Sequence, residues 1–354
     1  MDPLNLDEFE ALARESLPAM TYDFIAGGAE DERTVAGNRA AFARRTLRNR
    51  ALVDVTARDT RTRLLGLDLP HPILLAPTAL HRVAHPEGEL ATARGAAAAG
   101  ALYTVSTATS TRLEDIAAAA PDGLRWFQLY HLGEREATER LIAHAVATGH
   151  RAIALTTDVP LLGRRERDLR NAFTLPDGIG MAHAYEPAWA PPGDDRSRAW
   201  ASPIASANLT WIDLEWIRAA ANGLPLLLKG IVRGDDARRA LDLGVDGVWV
   251  SNHGGRQLDG AIATLDALDD VARAVGGRCP IVVDGGIRRG TDIISALALG
   301  ADAVAIGRPP LYGLAVGGAG GVQRVVEVLR AELDLAMALV GAPALAALTP
   351  DLIA

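Results

Sequence analysis

Residues 281–307 read IVVDGGIRRGTDIISALALGADAVAIG. Two short, mainly apolar runs, Ile281–Asp284 and Ala303–Gly307, flank an Ala- and Leu-rich stretch of helical length, Thr291–Leu299. Runs that are apolar without alternation mark strands covered on both faces, the situation of parallel strands with helices outside them. The unit is strand–helix–strand, and it repeats backwards along the chain. Further strand-like runs are Ile73–Ala76, Leu102–Ser106, Arg125–Tyr130, Ala152–Thr157, Pro225–Lys229 and Gly247–Ser251. Helix candidates lie between and after them at Glu87–Ala99, Arg112–Ala119, Glu134–Thr148, Asp213–Ala221, Asp235–Leu243, Thr264–Val275 and Gly321–Val340. Eight such units in series predict an α/β chain closed into a (β/α)8 TIM barrel. An open doubly wound sheet is the competitor, but no G-x-G-x-x-G follows the first strand, Ile73–Ala76.

The whole chain, 1–354, reads as a single domain. Residues 1–60 form an N-terminal helical segment with a turn at Gly27-Gly28, 61–340 form the barrel, and 176–209 form a lid loop. The lid lies in the long connection after strand four, Val159 to Thr210. That connection is rich in Pro, Gly, Ser and charge, as active-site lids are.

Composition narrows the function. The net charge is −8, with 49% hydrophobic and 23% charged residues, which is globular and argues against nucleic acid as a partner. The chain has one lysine, Lys229, in a background where every other basic residue is arginine. Arginine replaces lysine readily on a solvated surface but not where a compact ammonium is needed. The single cysteine, Cys279, excludes a disulfide framework or a multi-cysteine metal site and reads as buried filler, so no metal is expected. No run approaches the ~18 apolar residues that span a bilayer. The acidic, amphipathic N-terminus lacks a signal-peptide layout, so a cytoplasmic location without membrane attachment is expected.

In a barrel of this kind the chemistry sits at the C-terminal ends of the strands. In order, those ends carry Pro77-Thr78-Ala79, Ser106-Thr107-Ala108, Gln128-Leu129-Tyr130, Thr156-Thr157-Asp158, Lys229-Gly230, Ser251-Asn252-His253, Asp284-Gly285-Gly286 and Gly307-Arg308. The last two, with Arg288, place glycine backbone and two arginines where barrels bind phosphate. Lys229 is either a cation beside a group that becomes negative or an inward lysine paired with Asp284. His253 suits proton abstraction near neutrality, with Asp158 to orient it. Arg165 and Arg256 come from different strand ends and together fit a carboxylate. Tyr130 is placed to donate to a substrate hydroxyl or to pack at the barrel mouth.

Most of these residues lie within blocks that resemble the FMN-dependent 2-hydroxy acid oxidase and dehydrogenase family. The blocks are YDFIAGGAEDERT (22–34), APT (76–78), HPEGELATARGA (85–96), FQLY (127–130), TTDVPLLGRRERDLRN (156–171), LLLKGI (226–231), SNHGGRQLDG (251–260), DGGIRRGTDI (284–293) and ALGADAVAIGRP (298–309). The resemblance implies FMN as cofactor, held by Pro77, Thr78, Ala79, Ser106, Gln128, Thr156, Lys229, Ser251, Asp284, Gly285, Gly286, Arg288, Gly307 and Arg308. It implies His253 as the base, with Asp158, Tyr130 and Lys229 beside it in the catalytic set. Arg165, Arg256, Tyr130, His253, Phe24 and Ala108 would bind the substrate.

The implied reaction takes a small-molecule 2-hydroxy acid to the 2-oxo acid, with oxygen as the expected acceptor and hydrogen peroxide as its product. Phe24 and Ala108 stand where the glycolate-oxidase type has tyrosine and tryptophan. Those departures, and closer similarity to the hydroxymandelate-oxidase branch at DFIAGG and SNHGGRQLDG, imply a bulky or aryl, mandelate-like substrate. Lactate or another short acid is the alternative, as is a flavin tailoring enzyme acting on a natural-product or peptide intermediate. A non-catalytic FMN-binding barrel is disfavoured because His253, Asp158, Arg165 and Arg256 are all present. The resemblance also implies a homotetramer or octamer.

Overall fold

The structure is a computed structural model that describes residues 3–183 and 207–354. Three helices open it: α1 (Leu6–Ser16), α2 (Ala19–Ala26) and α3 (Arg33–Ala43). The Asn5 side chain accepts from Glu8 N–H at 3.0 Å and caps α1. A hairpin follows, β1 (Thr62–Leu64) with β2 (Leu67–Leu69), which the sequence reading does not anticipate. The barrel strands are β3 (Ile73–Leu75), β4 (Tyr103–Ser106), β5 (Arg125–Leu129), β6 (Ile153–Thr156), β7 (Leu226–Ile231), β8 (Gly247–Val250), β9 (Ile281–Asp284) and β10 (Ala303–Ile306). They are parallel, and they close in chain order with β10 against β3. The expected (β/α)8 barrel is therefore the observed fold, with strand ends within two residues of those read from the sequence.

Helices α4 (Gly88–Ala99), α5 (Leu113–Ala119), α6 (Arg135–Ala147), α7 (Glu166–Arg170), α8 (Asp213–Ala220), α9 (Gly234–Asp242), α10 (Thr264–Val275), α11 (Gly290–Ala298) and α12 (Arg308–Val340) complete it. The last begins thirteen residues before the expected Gly321 and is two helices in series, broken at Gly317 and Gly318. Gly318 lies at φ 55°, ψ −136°, a conformation open to glycine. Of the expected 176–209 lid, residues 184–206 lie outside the described residues.

Two apolar layers hold the barrel. One lies between strands and helices. The other fills the interior, where Trp126 and Trp249 meet edge to face at 6.4 Å. Ala154, Ala303 and Ala305 on other strands leave room for the two indoles. Leu64 and Leu69 of the hairpin pack into the same cluster. Cys279 is half-buried beside the outer layer, and burial pushes its thiol up to about 11.

Candidate active site

A cleft of about 1030 Å³, counting its open mouth, lies at the C-terminal ends of the strands beneath the end of α2. Its lining includes Phe24, Pro77, Thr78, Ala79, Ser106, Tyr130, Arg165, Lys229, His253, Arg256, Asp284, Gly285, Gly286, Arg288, Gly307 and Arg308. Five cationic side chains and one carboxylate, Asp284, line it in a chain of net charge −8. The positive field is local, so the cleft is built for anions.

His253 follows β8 and sits at φ 58°, a left-handed conformation that strains a side chain bearing a Cβ. Its backbone N–H donates to Ser251 Oγ at 3.0 Å. Its Nδ1 lies 3.0 Å from Asp158 Oδ1, and its Nε2 is 3.5 Å from the Tyr130 hydroxyl. Gly230 permits the approach of Asp158: at φ 108°, a Cβ there would lie 2.7 Å from the Asp158 Cβ. Burial pushes the His253 imidazole below its ordinary value, and Asp158 opposes that without reversing it. Burial favours the neutral form of Asp158, but His253 and then Lys229 outweigh it and hold the carboxyl below its usual range. The pair is thus a neutral imidazole braced by a carboxylate, ready to accept a proton at Nε2. Burial, reinforced by Asp158, raises the Tyr130 phenol, which stays protonated.

Arg256 extends under α2. Its Nη1 donates to the carbonyls of Phe24 and Gly27 at 2.9 and 2.7 Å, and its guanidinium lies 5.5 Å from the Phe24 ring centre. Burial, Arg165 and Arg308 all lower the Arg256 guanidinium, and burial lowers that of Arg165. Two half-buried, mutually repelling cations without a carboxylate in hydrogen-bond contact among the described residues fit an incoming carboxylate.

Lys229 points inward at the cleft and faces Asp284 without a direct hydrogen bond to it. It lines the cleft, and its Nζ is 3.7 Å from Asp284 Oδ2 and 3.1 Å from Ser251 Oγ. Beyond it a polar chain crosses three strands. Ser106 Oγ donates to Gln128 Oε1 at 3.1 Å, and Gln128 Nε2 donates to Thr156 Oγ1 at 2.8 Å. Arg308 is not a free fork. Its Nε donates to the carbonyls of Ile25 and Ala26, Nη1 to Gly254 and Nη2 to Gly27, so it ties the end of α2 to the His253 loop. Carbonyls at a helix C-terminus carry partial negative charge and draw the cation.

Ala108 is buried (2% exposed) and is not brought to the cleft lining. Its carbonyl accepts from Leu80 N–H, which folds that loop back against the β3 loop. The enlargement expected from a small residue at 108 is therefore not seen as open cleft. Two contributors went unread. Phe173 stacks on Phe24, with ring centres 4.4 Å apart and planes within 1°. Asn38 of α3 exchanges amide hydrogen bonds with Asn252 at 2.9 and 2.7 Å, and a Cβ on Gly286 would press on its carbonyl. The one signal for Asn38 in the sequence was a polar residue on the helix face that turns inward.

The model of the FMN-dependent dehydrogenase family matches residues 13–354. The chain belongs to that family. An L-lactate oxidase of Nostoc sp. is 49% identical over 346 residues, covering 96% of this chain and 94% of that protein. A peroxisomal (S)-2-hydroxyacid oxidase of Arabidopsis thaliana is 45% identical over 340 residues, covering 96% and 93%. A solved mandelate oxidase superposes with a TM-score of 0.90 at 42% identity, covering 98% and 97%. Another, carrying a Tyr-to-Phe substitution and (S)-mandelic acid, gives 0.89 at 41%, with the same shares covered.

FMN is the cofactor of the family, and the cleft fits it. Arg288 has a buried Nε without a protein partner, beside the left-handed glycines Gly285 and Gly286 at φ 94° and 90°. Arg165 Nε and Asp158 Oδ2 are likewise buried and unpartnered. The unsatisfied cationic donor of Arg288 beside left-handed glycine backbone suits a phosphate. No helix of the described residues is long and apolar enough to cross a membrane. Among them, no group of metal-ligating side chains occurs either.

Proposed function

We propose that the chain oxidises an (S)-2-hydroxy acid to its 2-oxo acid, with FMN as cofactor and oxygen as the acceptor that yields hydrogen peroxide. One observation carries this: a neutral His253 braced by Asp158 at 3.0 Å opens on the cleft that holds the un-neutralised Arg165 and Arg256. The arginines hold the substrate carboxylate. Tyr130 and His253 Nε2 then flank its hydroxyl-bearing carbon; the acid loses its O–H and Cα–H hydrogens with two electrons, and His253 accepts the proton released while Asp158 stabilises the imidazolium. Bound FMN supplies a two-electron acceptor that oxygen can regenerate. Arg288, Gly285, Gly286 and Gly307 would hold its phosphate end, with Arg308 adding the N–H groups that its carbonyl ties leave over; Pro77, Thr78, Ala79, Ser106, Gln128, Thr156, Ser251 and Asp284 would surround its ring and ribityl chain. Lys229 would stand against the ring edge that becomes negative.

The Phe24–Phe173 stack at the mouth supports a bulky or aryl substituent on the acid. The 49% identity to a lactate oxidase supports a short acid as the second reading. A cytoplasmic location and assembly as a tetramer or octamer belong to the same proposal. The test is anaerobic flavin bleaching by glycolate, lactate and mandelate, followed by oxygen and a peroxide assay. The expected result is fastest bleaching by mandelate, then stoichiometric peroxide. Bleaching by none of the acids rejects the activity, and preference for glycolate rejects the aryl pocket.

A further inference from the structure

Trp249 lies in the middle of β8, fully buried, with Lys229 of β7 paired to it on one side and Val282 of β9 on the other. Its indole N–H donates to Asp284 Oδ2 at 2.9 Å. The Ser251 hydroxyl donates to the other oxygen, Oδ1, at 2.8 Å. Lys229 Nζ approaches that same Oδ2 but stops at 3.7 Å, outside hydrogen-bond range, and sits 5.9 Å from the centre of the Trp249 ring. An ammonium and a carboxylate buried together ordinarily close to roughly 2.7–2.9 Å. Here the oxygen nearest the lysine is already engaged by the indole.

We propose that Trp249 is a positioning residue for Lys229. By holding Asp284 Oδ2, it keeps the carboxylate from drawing the ammonium into a close pair, so that the positive charge remains available to the cleft. A lysine clamped on Asp284 presents a neutralised pair to any ligand, whereas one held off presents a cation. The neighbouring indole separates this role from packing. Trp126 fills the same interior layer, 6.4 Å away, and its Nε1 has no hydrogen-bond partner among the described residues. Among the described residues, the barrel interior thus holds two tryptophans, of which one donates to the site.

The inference rests on the placement of Lys229 beside FMN proposed above, and it is tested on the FMN-loaded protein with sulfite. Sulfite bonds through sulfur to oxidised flavin and leaves its negative charge on the pyrimidine edge of the ring, so its dissociation constant reports the nearby cation without turnover. Trp249→Phe is expected to bind sulfite about tenfold more weakly and to show a lower flavin midpoint potential. Trp249→His, which keeps a ring N–H, recovers part of that loss, and Trp126→Phe leaves the affinity unchanged. Trp249→Leu, a second non-donor that fills the barrel differently, carries the test if the phenylalanine variant yields no holoprotein. An equal loss in Trp126→Phe overturns the proposal, because packing then explains it. Lys229→Met separates the two readings. A large loss there with none in Trp249→Phe overturns the positioning role alone. No loss in either overturns the placement of Lys229 beside the flavin as well.

Discussion

At φ 58°, His253 is followed by Gly254 and Gly255 at φ 62° and 76°, so three successive residues turn left-handed at the end of β8. Such a run costs about 1–2 kcal/mol at a residue with a Cβ, and it aims the imidazole back at Asp158 instead of out to solvent. Because the folded-state value of His253 is lowered, the group is neutral above its ordinary 6.5 and stabilises the fold there. That contribution fades as pH falls from 6.5 through the lowered value. If His253 is the base, as proposed above, the same titration sets the chemistry. The acid limb of kcat/KM, followed through flavin reduction, is expected to fall below pH 6.5. Asp158→Asn removes the charge that favours the imidazolium, so the limb moves to still lower pH while the rate of reduction drops about 100-fold or more. A limb that moves upward in Asp158→Asn contradicts the assigned pairing.

The two halves of α12 cross backbone on backbone at the element scale. A Cβ on Gly321 would lie 1.9 Å from the carbonyl oxygen of Gly313, and one on Gly313 would lie 2.5 Å from that of Gly321. Gly321→Ala is expected to destabilise the chain by about 1–3 kcal/mol, the cost of overpacking, measured as a lower denaturation midpoint. Gly320→Ala, with open space around its Cβ position, serves as the neutral comparison. This break also shows where reading the sequence stops. The eight barrel strands were legible because each is a short run of unalternated apolar residues, and most helices because they lie between such runs. The start of α12 was not, since RPPLYGLAVGGAGG carries the residues that normally end a helix. The hairpin of Thr62–Leu69 is too short to announce a period. Within the site, residue types at strand ends located His253, Asp158, Lys229 and the arginines. The indole bond of Trp249, the stack of Phe173 and the carbonyl ties of Arg308 depend on which distant groups meet, and no local pattern encodes that.

For the molecule as a whole, the N-terminal helices and the barrel share one set of cations, and those cations divide into two kinds. Arg308 spends its donors on Ile25, Ala26, Gly27 and Gly254, tying the end of α2 to the His253 loop. Arg288 reaches the carbonyl of Ile287 and leaves Nε buried and unpartnered, with Asp7 and Glu10 of α1 no nearer than 4.0 Å. Hydrogen bonds from a charged donor are worth about 1.5–3 kcal/mol each, whereas an unsatisfied buried charge is a cost. Arg308→Met is therefore expected to lower the melting temperature of the FMN-free chain. Arg288→Met leaves that temperature unchanged or raised. A ligand that binds only the folded state at about 100 times its Kd adds about 2.7 kcal/mol of stability, so FMN should raise the melting temperature of the parent protein, and Arg288→Met should lose most of that gain. Melting curves of the three proteins with and without FMN decide it. If Arg288→Met keeps the full FMN-dependent rise, the phosphate does not rest on Arg288, and the orphaned Nε needs another anion to explain it.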